Sequence, residues 1–205
     1  IDVDGTTNLD AVDIDGAVDI AGNLSVDGGT IKLDGNFPTG TSNVALGDAA
    51  LDDGSLSGGY NTAVGNAALG ENEGGQENSA FGFATLDANT SGNNNTALGS
   101  QAGSGNTTGA DNTAVGKNSL RANTTANNNT AVGSNALLSN TTGHSNVAMG
   151  HNSLDANTEG YQNVAIGRHA LGANTTADEN TALGNQALLV NTTGTRNVAV
   201  GASTL

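Results

Sequence analysis

Large apolar residues recur along this chain in a fixed frame. From Asn61 to Asn197 the pentad Asn, Thr or Val or Ser, Ala, large apolar, Gly returns at every seventeenth position, and the first interval, Asn43 to Asn61, is one longer. Counted from the Asn, position 3 is Ala in all ten copies, position 4 is always larger and apolar, and position 5 is always Gly. Position 9 is Leu in nine copies, with Gly103 the exception. The full frame reads "NTAVGxxALxxNTTGxx". A period held this strictly means one structural unit stacked on copies of itself.

The unit is not helical. A Gly at a fixed place in every copy, β-branched Thr and Val, and "NTTG" turn chemistry all oppose a helix. The repeat is also too short for two helices and their turns. The pattern predicts an all-β fold, a parallel β-solenoid or β-roll of ten 17-residue coils over 43–205. Each coil is expected to hold two or three short strands, with Gly or Asn at corners of positive φ. Strand alternation then sets positions 2 and 4 on one side and positions 1, 3 and 5 on the other. The large residues at position 4 are expected inside the coil against the Leu of position 9. The small face, Ala63, Ala80, Ala97, Ala114, Ala131, Ala148, Ala165, Ala182 and Ala199, is expected to pack against other chains about a shared axis, as a homotrimer. So few large side chains per coil suggest that one stack needs such company.

Residues 1–36 follow a different pattern, alternating apolar residues with Asp, as in Val12, Ile14, Val18 and Ile20 around Asp13, Asp15 and Asp19. That is the period of short half-buried strands and predicts a separate acidic fibre segment. Residues 37–42 carry the chain's one Pro and are expected to be the joint.

Composition narrows the function classes. The net charge of −15 and the 2% of aromatic residues also suit a disordered chain. The fixed apolar register over 43–205 opposes that. Residues 1–59 hold 11 Asp against one Lys, so the acidity is concentrated near the start. Lys117, Arg121, Arg168 and Arg196 are scattered, which disfavours nucleic acid as a partner. No apolar run approaches the roughly 20 residues of a membrane-spanning helix, so membrane insertion is not expected. There is no Cys. The chain begins at Ile1 and ends at Leu205 partway through a tenth repeat, which suggests a piece of something longer or ends built to continue into a neighbour.

Candidate chemistry is thin. Asp2, Asp4 and Gly5, and again Asp13, Asp15 and Gly16, match the start of a calcium loop without its later ligands, and solvated strand carboxylates explain them as well. His144, His151 and His169 fall at positions 16, 6 and 7 and so form no single column, which argues against a metal site. No nucleophile-elbow, zinc-protease or dinucleotide motif occurs, so no enzyme and no cofactor are expected. The "NTT" segments at Asn106, Asn123, Asn140, Asn174 and Asn191 match glycosylation sequons and superficially an ice-binding face, but read best as turns with stacked Asn side chains. Ligand contact is expected at irregular turns such as Glu71–Glu77 or at Tyr60, and the scarcity of aromatics opposes a long sugar-stacking platform.

"NVAIG" at Asn163, "NVAMG" at Asn146 and "NSAFG" at Asn78 resemble the head motif of trimeric autotransporter adhesins of the YadA type. The resemblance covers 43–205 and implies a left-handed parallel β-roll wound as a homotrimer. The family's head repeats are usually shorter than those of this chain, and no neck, coiled-coil stalk or membrane anchor is seen. The "VDIDGAVDIAGNLSVDGG" segment before the repeats is more similar to phage tail-fibre proteins, particularly those of marine phages. The resemblance implies the structural shaft of a phage tail fibre involved in host attachment, carried on the virion surface, with a host receptor or matrix component as partner. Two alternatives stand beside it: the head of a trimeric bacterial surface adhesin, and a self-polymerising extracellular filament.

Overall fold

A computed structural model describes residues 42–205, all within the second of the two units into which the chain divides, Asp34–Leu205. The expected fibre segment over 1–36 and the calcium-like Asp residues lie outside the described residues.

Each pentad forms one strand of three residues. In chain order these are β1 (Val44–Leu46), β2 (Thr62–Val64), β3 (Ser79–Phe81), β4 (Thr96–Leu98), β5 (Thr113–Val115), β6 (Thr130–Val132), β7 (Val147–Met149), β8 (Val164–Ile166), β9 (Thr181–Leu183) and β10 (Val198–Val200). Every strand pairs in parallel with the next, giving one sheet in sequential order. The register is that of the repeat: Ala97 faces Ala114, which faces Ala131. The described residues are therefore an all-β parallel solenoid, advancing one coil per repeat.

One strand per coil replaces the expected two or three. The rest of each coil is turns, yet these are tied to their neighbours as closely as a sheet. Leu120 N–H donates to Ala136 O at 3.0 Å, Thr107 N–H to Thr124 O at 2.8 Å, and Asp111 N–H back to Asn93 O at 3.0 Å. Such coil-to-coil bonds satisfy backbone groups that would be orphaned in an ordinary loop.

The corners explain why the strands are short. Position 5 is Gly with strongly positive φ, as at Gly133 (+134). Three further corners per coil also have positive φ but carry side chains. Position 7 is represented by Asn135 (58), position 9 by the column Leu, as at Leu137 (51), and the closing position of the repeat by Asn128 (60). A left-handed L-residue costs on the order of 1–2 kcal/mol. At position 9 that cost is offset by complete burial of Leu69, Leu137, Leu154 and Leu171.

The interior of the coil reverses the expected assignment of faces. Position 3 points inward, where Ala63, Ala80, Ala131, Ala148, Ala165 and Ala182 are 0% exposed and Ala97, Ala114 and Ala199 no more than 5%. They pack with the Leu of position 9 and the Ala residues of position 8 in one continuous core. The reason is room. A coil this short, with four tight corners, encloses space for one large side chain, and Leu takes it, so the residue across the lumen must be Ala. The nine alanines expected to meet other chains are covered by their own coil, and a Val or Leu at position 4 has no place but outside.

Candidate self-association face

The outer surface of the sheet follows from this reversal. Positions 2 and 4 of β1–β10 alternate with the buried Ala and so point away from the core. Position 4 presents ten apolar side chains in one column. Leu46 is 47% exposed, Phe81 40%, Leu98 51%, Met149 41%, Leu183 45% and Val200 64%, while Val64, Val115, Val132 and Ile166 are half-buried. Beside them runs position 2, uncharged throughout: Thr at Thr62, Thr96, Thr113, Thr130 and Thr181, Val at Val44, Val147, Val164 and Val198, and Ser79. Phe83, at position 6, adds a second exposed ring beside Phe81.

At about 4.8 Å per coil the column runs about 43 Å. Half-exposed side chains over that length present on the order of 700 Å² of apolar surface, above the few hundred typical of monomers and near the roughly 800 Å² each partner contributes to a stable interface.

Behind this face the coil is held by two ladders of buried Asn. At position 1, Asn112 N–H donates to Asn95 Oδ1 at 3.0 Å, and Asn95 N–H to Asn78 Oδ1 at 2.9 Å. At position 12, Asn106 Nδ2 donates to Asn89 Oδ1 at 2.9 Å and Asn123 Nδ2 to Asn106 Oδ1 at 2.8 Å. Position 13 adds a hydroxyl ladder, Thr107 Oγ1 donating to Thr124 O at 2.9 Å. The two Asn columns fix the sheet against the turns.

These ladders also decide the "NTT" question. Asn106, Asn123, Asn140 and Asn174 are buried with their amides engaged within the stack, and Asn191, half-buried and outside the Asn ladder, donates to Gly194 O at 2.8 Å, so none presents a free amide for a glycan. The paired threonines diverge, Thr107 half-buried and Thr108 exposed, which leaves no flat double row.

The turn over Glu71–Glu77 is irregular in sequence but regular in space: Asn72 takes its ladder position, donating to Gly75 O at 3.1 Å and accepting from Asn89 at 2.8 Å. Tyr60 is exposed at a left-handed corner. The local departure lies instead in the longer first coil, where Ser55 N–H caps Asp53 Oδ1 at 2.7 Å and the Ser55 hydroxyl bonds the same oxygen. Together they hold the Asp53 carboxyl below its usual range.

The histidines group differently from their column positions. His144 stacks on Tyr161 one coil on, with centroids 5.1 Å apart. His151 and His169 meet edge to face at 5.7 Å, because positions 6 and 7 of consecutive coils are diagonal neighbours. Among the described residues no group of three His, Cys, Asp or Glu is disposed to hold a metal ion, and no helix is long and apolar enough to cross a membrane. Compared with protein-family models, curated proteins and solved structures, the chain matches none.

Proposed function

We propose that this chain is the structural shaft of a homotrimeric fibre, of the kind that phage tail fibres use in host attachment, and that copies pack through the position 2 and position 4 columns. The observation that carries the reading is the unbroken apolar column from Leu46 to Val200, uncharged at every step and repeating at the spacing of the coils. A second copy laid parallel presents the same column with the same rise, so side chains interdigitate along the whole length without adjustment. Parallel copies of one chain suit a closed cyclic arrangement, and the resemblance to trimeric fibres sets its number at three. The interior supports a shaft: every coil is braced to the next by backbone bonds and by the position 1 Asn ladder, and a Thr ladder adds to these from Thr90 to Thr175. The same packing serves the head of a trimeric bacterial surface adhesin, which differs in what carries the fibre.

The test is solution mass by light scattering on a sizing column. The trimer gives three times the single-chain mass of 20.0 kDa. Leu98→Glu combined with Ile166→Glu is expected to give the single-chain mass with unchanged far-ultraviolet circular dichroism. A wild-type mass of one chain at all concentrations overturns the reading. Binding of the labelled trimer to bacterial cells then distinguishes an attachment fibre from a passive spacer.

A further inference from the structure

His151 and His169 bring two metal-ligating rings together on the described surface, and nothing in the shaft reading employs them. The backbone fixes their spacing, with His169 N–H donating to His151 O at 3.1 Å. Their rings lie 5.7 Å apart at 83°. A metal–nitrogen bond of about 2.0–2.1 Å, added to about 1.2 Å from nitrogen to ring centre, puts bound centroids about 4.6 Å apart at the right angle of a tetragonal site, about 5.2 Å at a tetrahedral angle and up to about 6.4 Å at a linear one. The observed separation lies between those limits. His151 is exposed and His169 half-buried. Neither imidazole is held by a hydrogen bond to the protein, unlike His144, whose Nδ1 lies 3.3 Å from Ser145 Oγ. The exposed His151 ring has to turn from its edge-to-face position for both nitrogens to aim at one point.

Asp155, at position 10 of the same coil as His151, is a nearby charge and not a third ligand. Partial burial pushes its carboxyl up, while its own backbone, His169 and then His151 pull it down, so both rings are within its electrostatic reach. Arg168 follows His151 one coil on in column 6 and opposes a cation; Asp155 counters that charge.

We propose that His151 and His169 chelate one divalent first-row transition-metal ion per chain, with water completing the coordination and Asp155 supplying negative charge beside it. Imidazole pairs without thiolates favour copper over nickel and zinc, following the general affinity order. A bound ion links coil seven to coil eight from outside, where the ladders link them from within.

The repeat itself supplies variants that keep the fold. Column 7 holds Asn118, Asn135 and Asn152 at the same left-handed corner as His169, and column 6 holds Ser100 and Ser134 in place of His151. His169→Asn and His151→Ser therefore put residues that neighbouring coils already use into the site. With copper(II) chloride alone as the probe, calorimetry on the full chain is expected to give one ion per chain, and electron paramagnetic resonance two nitrogen ligands. Either variant is expected to weaken binding at least about tenfold, and Asp155→Asn about tenfold as an outer-shell group. His144→Ala is expected to leave the isotherm unchanged. Indistinguishable isotherms for the wild type, His151→Ser and His169→Asn, or loss of binding in His144→Ala alone, overturn the proposal. Stoichiometry per chain is the same whether the chain is trimeric or single, so this result and the solution mass stand or fall separately.

Discussion

Asn95 and Asn106 donate their side-chain amides to one acceptor, the carbonyl oxygen of Gly109, each at 2.9 Å. One belongs to the strand ladder and the other to the turn ladder, so this oxygen joins the two sides of the coil across its interior. The motif recurs at Asn129 and Asn140, which both donate to Gly143 O at 2.8 Å. In a coil with a single large apolar side chain, these polar clamps set the shape that the Leu then fills.

The clamp makes the position 1 Asn irreplaceable by a small apolar residue. Asn95→Ala removes the acceptor of the buried Asn112 N–H as well as the donor to Gly109. An unsatisfied buried group costs about 1–3 kcal/mol, and the lost bonds and the void add to it, so about 3 kcal/mol is expected in urea denaturation. Asn95→Asp keeps the acceptor for Asn112 but puts a second carboxylate oxygen where the amide donated to Gly109 O, burying a charge against a carbonyl oxygen, and is expected to cost more at pH 7 than at pH 4. Equal loss at both values would show that the lost amide donor rather than the buried charge dominates.

Glycines differ sharply by column. At position 5, Gly133 has φ +134, and a Cβ there would lie 2.6 Å from Gly150 O, a backbone atom that cannot yield without breaking the ladder. Gly133→Ala is expected to abolish cooperative unfolding of the full stack, costing upwards of about 4 kcal/mol. Gly103 occupies the Leu column at φ +61, and its added Cβ meets only Leu86 side-chain atoms, Cδ2 nearest at 2.9 Å, the free end of a side chain. A void of about 10 Å³ lies there, lined by Leu86, Ala97, Ala114 and Leu120 among others. Restoring the column with Gly103→Leu is expected to stabilise by about 1 kcal/mol, the gain from buried methylenes exceeding the left-handed strain. Thermal unfolding of the two variants, one falling and one rising, checks the assignment of columns.

Half-buried Asp87 sets a small pH dependence. Burial raises its carboxyl above 3.8, with no partner to lower it. A folded value above the unfolded one means that the protonated form favours folding, so this contribution is present below pH 3.8 and lost as pH rises through the raised value. Asp87→Asn is therefore expected to stabilise at pH 7, by no more than about 0.5 kcal/mol because solvent screens the site, and to do nothing at pH 3. Asp53 runs the other way: its Ser55 contacts favour folding above its unfolded value and are lost as pH falls through the lowered one. Paired denaturation curves at pH 3 and pH 7 for Asp87→Asn read the sign directly.

The repeat phase was fully legible in the sequence, since Ala at position 3 and Gly at position 5 admit no slip; so were the parallel sheet and the Asn stacks. Which side of the strand faces inward was not legible. Alternation separates Ala from Val without saying which is enclosed, and the habit of putting the larger residue inside fails when the lumen is only wide enough for the position 9 Leu. The left-handed corners at Gln101, Leu137 and Arg196 were hidden for a related reason: Leu, Gln and Arg do not signal positive φ, and only their place in a closed coil imposes it. The meeting of His151 with His169 needed the diagonal between adjacent columns, which a search along single columns passes over.

Ala148 and Met149 are neighbours in β7 and lie on opposite sides of it, one wholly buried and one 41% exposed. Overpacking the lumen with Ala148→Leu forces its side chain against the Leu column and is expected to destabilise each chain by about 3 kcal/mol, at the upper end of what inserted methylenes cost. Because the damage lies inside one coil, the loss is independent of protein concentration. Met149→Glu leaves the coil untouched, so at the lowest concentrations its urea midpoint is expected to match that of the dissociated wild type. At high concentration the wild type gains stability from association, by mass action, and Met149→Glu does not. Urea midpoints measured across a hundredfold range of concentration thus separate the two faces of a single strand. A concentration-dependent loss in Ala148→Leu together with wild-type behaviour in Met149→Glu would return the interface to the alanine side.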